Sequence, residues 1–214
     1  MVAVNNYEAL GKGRYRVAFD NGVSCILYRS EAAQLSIEVQ CSLTDENYEY
    51  LINEIVGKRA KKRAMHILEQ MDRTEHQLRE KLAKGEYPQE CIDSAVEYVK
   101  KYRYLDDERF TEIKVRHYLA VGKPARYIQN KLREKGIANA QIEDMLDDFG
   151  YNPQEMALKL AKRKKIGPFR PDEESRKQNR QKDMAALIRA GFDYDVVSEI
   201  IGADFIADDT DDDL

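Results

Sequence analysis

The sequence predicts an all-α protein of tandem three-helix repeats that form an elongated curved body, with a small N-terminal β-hairpin element. Charged residues make up 35% of the 214 residues, whereas there are only 11 glycines and 5 prolines, a composition that favours long, solvated helices. Apolar residues recur at helical spacing from Thr44 onward. The same apolar pattern returns 50 and then 55 residues further along the chain, which indicates repeated units.

The first segment, residues 1–43, is predicted to form the β extension. Two β-prone runs, Arg14–Phe19 and 23–28, are separated by Asp20-Asn21-Gly22. Asn-Gly between two such runs is the strongest short hairpin pattern, because both residues accept a positive φ. We therefore expect β structure over about 13–42.

Helix-capping residues predict where the helices begin. Thr44 suits the start of a helix that continues to Met71, and Thr74-Glu75-His76-Gln77 forms a capping box before the next helix. Pro88 suits the first turn of the helix after that. The later predicted starts are Asp106, Pro124, Asn139 and Asn152, followed by a connector at 166–171 and helices over 173–190 and 194–201.

The helix ends repeat together with the apolar positions. Gly136 and Gly191, 55 residues apart, each follow an amphipathic helix and precede an apolar residue. In a Schellman ending such a glycine takes the left-handed C′ position. One three-helix unit is too small to bury its apolar face well, so neighbouring units should stack. The predicted divisions are a β extension (1–43), three helical repeats (44–104 with a long lead helix, 105–150 and 153–203) and an acidic disordered tail (204–214).

The net charge of −4 is unevenly distributed along the chain. Residues 58–182 carry 30 basic and 21 acidic side chains, whereas residues 183–214 carry one basic and ten acidic side chains. A basic middle suits phosphates or an acidic protein surface. The aspartates at 208–213 repel one another, so we expect this tail to be disordered, and we hypothesise that it screens the basic middle.

Several classes of function lack their sequence motifs. The three cysteines contain no CxxC pair, which argues against zinc ribbons and disulfide scaffolds and favours a reduced cytoplasm. The three histidines lie far apart, and neither GxSxG nor a complete P-loop occurs. No apolar run approaches the ~18 residues of a membrane span, and the N-terminus does not resemble a signal peptide. We therefore expect no cofactor, no metal and no membrane association.

One acidic run, Asp106-Asp107-Glu108, raises the hypothesis of a metal-dependent nuclease. Three adjacent acids at a helix start point in different directions, however, and capping plus helix-dipole interactions explain them. The prediction is that the protein is not an enzyme.

Basic side chains are the candidates for partner binding. One group (58–63) lies on the lead helix, a second surrounds a helix junction in the middle repeat, and a third ends the first helix of the last repeat. Because Lys and Arg near a helix C-terminus also satisfy the dipole, each group could instead be a solvated face. The tyrosines among these charges, at 102, 104, 118 and 127, could stack on bases or belong to the core. The candidate contacts are Arg116, Lys123, Arg126, Lys131, Arg133, Lys162, Arg163, Lys164 and Lys165.

Ordered motifs occur across the helical region. The middle repeat carries "YLDD..F" at 104–110, Gly-Lys-Pro at 122–124 and "L..KGI" at 132–137, and the first carries "RTE..L..KL" at 73–82. Together these resemble the RecX family over about 58–201. An aromatic residue often found in that family shortly after Phe110 is replaced here, with Ile113 and Val115 nearby. The motif residues expected to be structural are Tyr104, Leu105, Asp106, Asp107, Phe110, Gly122, Gly136 and Ile137.

The resemblance implies a regulatory protein. RecX-like proteins bind the RecA recombinase, lodge in the groove of its filament on single-stranded DNA, and limit filament growth, ATP hydrolysis and strand exchange. They carry no cofactor, and we expect a cytoplasmic monomer that makes at most weak contact with single-stranded or duplex DNA. The charge pattern leaves one alternative open, a helical-repeat protein that binds DNA directly without RecA.

Overall fold

In the computed structural model, which describes residues 1–202, the chain divides into two units, one from Met1 to Asp107 and one from Glu108 onward. The predicted fold class is confirmed, because the chain is mainly helical, with tandem three-helix domains and a small N-terminal antiparallel sheet. The predicted acidic tail, 204–214, lies outside the described residues.

The sheet of the first unit has four antiparallel strands. They are β1 (Val2–Gly11), β2 (Arg14–Phe19), β3 (Ser24–Tyr28) and β4 (Ser42–Leu43), in the spatial order β3-β2-β1-β4. The predicted hairpin of β2 and β3 is confirmed: Gly22 has φ +81°, and the Asn21 side chain accepts a hydrogen bond from the Val23 amide at 3.1 Å.

The sheet is larger than the predicted hairpin because β1 also pairs with β2 and β4. The pairing of β1 shifts register between Val4 and Asn6 and again between Ala9 and Gly11. Each shift breaks the in-out alternation by which a strand is recognised in sequence. The polar pair Asn5-Asn6 falls at the first shift, which explains why this strand was missed.

A long lead helix follows the sheet and a short helix, α1 (Arg29–Gln34). It begins with α2 (Asp45–Glu49), passes through a π-helical segment (Tyr50–Gly57) and continues as α3 (Lys58–Gln70). The predicted cap is confirmed, since the Thr44 hydroxyl accepts from the Asn47 amide at 3.2 Å. The π segment was not predicted. Gly57 permits it, because a Cβ there would lie 2.9 Å from the Ile52 carbonyl oxygen.

The first repeat is completed by α4 (Glu75–Ala83) and α5 (Gln89–Lys101). The predicted capping box is confirmed: the Thr74 hydroxyl accepts from the Gln77 amide, and the Gln77 side chain accepts from the Thr74 amide. Pro88 is the N-cap of α5 rather than a residue of its first turn, so that prediction was wrong by one position.

The second unit contains the other two helical groups. The first comprises α6 (Asp107–Ala120, which starts at the unit boundary), α7 (Ala125–Arg133) and α8 (Asn139–Asp148); the second comprises α9 (Pro153–Lys164), a 3-10 turn (Gly167–Phe169), α10 (Glu173–Ala190) and α11 (Tyr194–Gly202). The predicted Asn152 cap is confirmed by a 3.0 Å bond from the Glu155 amide. Asn139 is the first residue of α8, not its cap, which is Ala138.

The predicted Schellman endings are present. Gly136 has φ +83°, and the Ile137 amide donates to the Leu132 carbonyl at 3.1 Å. Gly191 has φ +109°, with the equivalent bond from Phe192 to the Leu187 carbonyl at 3.3 Å.

Three charged residues take the same left-handed position at other helix ends. They are Glu86 after α4, Arg103 after α5 and Lys165 after α9, with φ values of 53° to 57°. Each is followed by the same amide-to-carbonyl bond across five positions. A left-handed conformation costs a residue other than glycine roughly 1–2 kcal/mol, so these positions need a reason that sequence periodicity does not supply.

Candidate partner-binding site

The strongest concentration of unpaired positive charge among the candidates is the end of α9. Lys162, Arg163, Lys164 and Lys165 are all exposed there. The Arg163 guanidinium donates to the Val121 carbonyl at 2.8 Å, so its position is fixed. The three lysines make no ion pair with any residue in the range 1–202. We call Lys162, Lys164 and Lys165 the α9 cluster.

Much of the charge in the middle-repeat group is already offset. Arg116 pairs with Glu112 at 2.7 Å, and its guanidinium also lies 5.4 Å from the ring centre of Phe149. Lys131 pairs with Glu134 at 2.7 Å, and hydrogen bonding to that carboxylate raises the pKa of Lys131. These i,i+3 and i,i+4 pairs are compatible with a solvated helix surface.

The other members of this group differ in their surroundings. The Lys123 ammonium lies 4.4 Å from the Tyr127 ring centre, and the Arg133 guanidinium donates to the Asn130 side chain. Arg126 is exposed and has no ion pair within the described part of the chain. Lys123, Arg126 and Arg133 therefore carry the charge of this group that no carboxylate in residues 1–202 offsets.

The structure brings the turn between α6 and α7 against α9. Gly122 is buried there with φ +65°, and a Cβ on it would lie 3.0 Å from the Met156 carbonyl and 3.1 Å from the Leu160 amide. Only glycine permits this approach without a shift. Because Lys123 directly follows Gly122, the basic turn lies beside the helix that carries the α9 cluster.

A tyrosine also connects the second and third repeats. Tyr151 packs against both of their apolar cores, and its hydroxyl accepts from the Ala125 amide at 2.9 Å, at the start of α7. Burial raises the pKa of Tyr151. This contact and the Arg163 bond hold the two basic groups in a fixed relation within the second unit.

The family-motif residues differ in their burial. Leu105, Phe110, Gly122 and Ile137 are buried, and Gly136 ends a helix as described above. Tyr104 departs from this pattern, since 51% of it is exposed.

The acidic motif residues sit at a helix start. Asp106 immediately precedes α6, and the Asp107 carboxylate accepts from the Glu75 amide at 2.9 Å. That amide is the first of α4 and has no partner within its own helix. Burial raises the pKa of Asp107. This bond, between two residues of the first unit, gives the first amide of α4 an acceptor.

The remaining tyrosines among the basic residues fall into two classes. Tyr118 and Tyr127 are half-buried and meet edge to face at 5.6 Å. Tyr102 is 54% exposed, and its ring centre lies 4.9 Å from the ring centre of Tyr98. The core interpretation suits the first pair and does not suit Tyr102.

The basic stretch on the lead helix contains a structural arginine. Arg59 forms an ion pair with Glu31, donates to the Ile26 carbonyl and lies 4.9 Å from the Tyr28 ring centre. Its guanidinium is also 5.6 Å from the ring of Tyr87. It therefore attaches the sheet to the first repeat.

Sequence reasoning missed the buried polar centre of the third repeat. Asp183 on α10 is 1% exposed and accepts bonds from Arg170 at 2.6 and 2.8 Å and from the Gly167 amide at 2.8 Å. This network fixes the connector that follows the α9 cluster. A lone Asp among the polar residues of α10 gave no pattern from which burial could be predicted.

Within residues 1–202 there is no group of three His, Cys, Asp or Glu side chains that could hold a metal ion. In the same range, no helix has both the length and the apolar character needed to cross a membrane. All three cysteines are free, and burial raises the pKa of Cys25 and of Cys91 to about 12.

Known proteins with similar sequences share one description. The family models for the first and second three-helix domains of RecX match residues 60–98 and 106–146. A regulatory protein RecX of Myxococcus xanthus is 30% identical over 112 residues, covering 51% of this chain and 60% of that protein. A regulatory protein RecX of Clostridium botulinum (strain Eklund 17B) is 26% identical over 191 residues, covering 89% of each.

Solved structures agree with these sequence matches. A crystal structure of regulatory protein RecX superposes with a TM-score of 0.58 at 25% identity, covering 94% of this chain and 99% of that one. The structure of RecX from Lactobacillus salivarius, with a TM-score of 0.57 and 22% identity, covers 69% of this chain and shares the fold. From the two domain matches in their family order, the relatives over most of the chain and the shared architecture, we conclude that this chain belongs to the RecX family of regulatory proteins.

Proposed function

We propose that this protein binds filaments of the RecA recombinase on single-stranded DNA and limits their growth, ATP hydrolysis and strand exchange. Membership of the RecX family supports a regulatory role, and the resemblance described above supplies RecA as the partner. The protein acts as a cytoplasmic monomer, uses no cofactor and catalyses no reaction.

The α9 cluster is the observation from which we propose where the protein contacts the filament. Its three exposed lysines face solvent without an ion pair in residues 1–202, and Lys165 occupies a left-handed conformation. Gly122 fills the equivalent position at the end of α6. Strain without a compensating intrachain contact is typical of functional sites. We therefore assign the filament contact to the α9 cluster together with Lys123 and Arg126.

The test is the DNA-dependent ATPase activity of preassembled RecA filaments, titrated with the purified full-length protein at low salt. We expect equimolar protein to slow hydrolysis, with an effect that weakens as salt rises because the contact is electrostatic. No slowing at equimolar protein and low salt would overturn the proposed function.

Two triple variants, each with three lysines replaced by glutamates, test where the filament binds. One variant carries Lys162→Glu, Lys164→Glu and Lys165→Glu; its matched control carries Lys62→Glu, Lys81→Glu and Lys84→Glu, three exposed lysines of the first unit. We expect the α9 variant to need at least tenfold more protein for half-inhibition and the control less than threefold. Equal losses would show that net charge matters and position does not.

Direct DNA binding is the second candidate, favoured by the basic excess of residues 58–182. It predicts tight retention of DNA without RecA and a steep fall of affinity with salt. Negligible retention at low salt would reject it, whereas inhibition of RecA would remain.

A further inference from the structure

A small groove lies between α10 and α11, next to the last described residue. Its volume is about 170 Å³, whereas pockets for small-molecule ligands are usually ~300–1,000 Å³. One side is apolar, with Pro168 and Ile201, and the other is basic, with Arg176, Lys177 and Arg180. Such a groove suits an extended peptide with an apolar anchor and acidic neighbours.

The apolar side is built around a glycine. Gly167 has φ +60°, and a Cβ there would lie 2.5 Å from the Ile201 side chain, so α11 packs directly on the connector. The connector is in turn fixed by the bond from the Gly167 amide to Asp183. The groove is therefore a preformed part of the third repeat.

The basic side has positive charge available for a ligand. The Arg180 guanidinium has no ion pair within residues 1–202, and a Cβ on Gly202 would lie 3.8 Å from it. The Arg176 guanidinium is 3.4 Å from the Arg170 carbonyl, which orients it. Glu173 on the rim pairs with Lys177 at 2.5 Å, so two arginines remain as the available cations.

The sequence of the chain's own tail has the matching chemistry. Gly202 lines the groove, and the following residues are Ala-Asp-Phe-Ile-Ala-Asp-Asp-Thr-Asp-Asp-Asp-Leu, with two large apolar residues at 205–206 followed by an acidic run. Residues 203–214 contain six aspartates and no lysine or arginine.

We propose that residues 203–214 bind in cis along this groove, with the apolar pair on its apolar side and the aspartates against Arg176 and Arg180. Lys165 lies two residues before the groove-lining Gly167. The bound tail therefore brings negative charge close to the α9 cluster and competes with an anionic partner. This competition rests on the proposed function, whereas the docking itself does not.

The experiment measures fluorescence anisotropy of a labelled peptide of sequence 203–214, titrated with full-length proteins at low salt. One protein is the wild type; the other is a full-length variant whose tail is less apolar and keeps only one of its six aspartates, Asp204. Its substitutions are Phe205→Ser, Ile206→Ser, Asp208→Asn, Asp209→Asn, Asp211→Asn, Asp212→Asn and Asp213→Asn.

We expect the peptide to bind the tail variant and to bind wild type about tenfold more weakly. A short tethered segment has an effective concentration of about 1 mM, which would occupy a ~0.1 mM site roughly ten to one. A peptide of the same composition in scrambled order should bind at least fivefold more weakly. Equal binding to both proteins, or equal binding of the scrambled peptide, would overturn the docking.

The groove is located by two further full-length proteins made in the tail-variant background. Arg180→Ala should weaken peptide binding at least fivefold, whereas Arg189→Ala, on the same helix but outside the groove, should leave it unchanged. Equal effects would place the tail elsewhere and overturn the assignment, and circular dichroism verifies that both variants fold.

RecA inhibition is then measured for the tail variant. A lower half-inhibitory concentration than wild type supports competition. An unchanged value despite peptide docking would overturn the regulatory role of the tail while leaving the proposed function intact. Docking with no RecA inhibition by any of the proteins would overturn the proposed function instead.

Discussion

Replacing Asp183 with asparagine should destabilise the second unit by about 2–3 kcal/mol. The carboxylate accepts two bonds from Arg170 and one from the Gly167 amide, while the side chain is almost fully buried. Asparagine can still accept from the amide but loses the charge-assisted pair, and each hydrogen bond to a charged group contributes ~1.5–3 kcal/mol. The loss stays below the ~3–5 kcal/mol of a fully buried pair, because 18% of the Arg170 side chain is exposed.

The pH dependence of this effect has a definite sign. Burial raises the pKa of Asp183, but the bonds from Arg170 and Gly167 lower it, and the net direction is below its ordinary value. The unfolded carboxyl has a pKa of ~3.9. A carboxyl with a depressed folded pKa stabilises the protein above that value, and this stabilisation is lost as pH falls through the folded pKa. The difference between wild type and Asp183→Asn should therefore be full at pH 6–7 and shrink below about pH 4.

Urea unfolding followed by circular dichroism measures the free energy of unfolding at each pH, with the slope reporting whether the unfolded state has changed. Asp144→Asn, an exposed substitution on α8, is the matched control and should change stability by less than about 0.5 kcal/mol. Arg170→Met should cost more than Asp183→Asn, because it leaves a buried carboxylate with only the amide. A loss for Asp183→Asn no larger than the control, or one independent of pH, would refute the reasoning.

Three further substitutions test the helix ends and the junction at α4. In an Arg16→Ala background, Glu86→Gly should stabilise the protein by about 1 kcal/mol, because it relieves the left-handed conformation. In wild type the gain should be smaller, because the substitution also breaks the ion pair with Arg16. Urea unfolding of wild type, the two single variants and the double variant measures these differences in the free energy of unfolding. Gly122→Ala should cost at least about 1 kcal/mol more than Gly150→Ala by the same measurement, since both have positive φ but only the first meets backbone within 3.1 Å. Asp107→Ala should lower the unfolding free energy by about 1–2 kcal/mol by leaving an α4 amide without its acceptor, whereas Asp107→Asn should be tolerated because burial disfavours the carboxylate.

The helical architecture could be predicted because its determinants are local. Caps at Thr44, Thr74 and Asn152 and glycines at helix ends are set by residues three to five positions apart. The repeat spacing then follows from the same apolar positions recurring. The predictions were wrong by one position at two helix starts. Pro88 is itself the cap of α5, and the residue before Asn139 is the cap of α8.

The features that were not predicted depend on contacts distant in sequence or on broken periodicity. Strand β1 pairs through two register shifts, and the π segment depends on the close approach at Gly57. Asp183 is buried only because the connector after α9 folds back onto α10. None of these leaves a periodic pattern in the sequence.

The sequence predicted which basic residues lie on the helices of the candidate site, but not which of them are paired with other groups. Lysines and arginines could be placed on helices, and local pairs such as Arg116 with Glu112 follow from the i,i+4 spacing alone. The contact of Arg163 with Val121, and the seating of Gly122 on α9, depend on how two repeats pack. Distinguishing free from occupied basic residues therefore required the fold.

Two of the three charged residues at left-handed helix ends, Glu86 and Lys165, differ in what offsets their conformational cost. Glu86 stands where Gly136 and Gly191 stand in the later repeats, and its carboxylate pairs with Arg16 of β2 at 2.6 Å, so attachment of the sheet offsets the conformational cost. Lys165 stands where the second repeat has Gly122, yet within residues 1–202 it has no ion pair to offset the same cost. Glycine would serve the backbone better at both positions, so a side-chain contact must account for each charged residue. The contact that accounts for Glu86 lies inside the chain. The contact that accounts for Lys165 is, on our proposal, with the anionic partner of the α9 cluster.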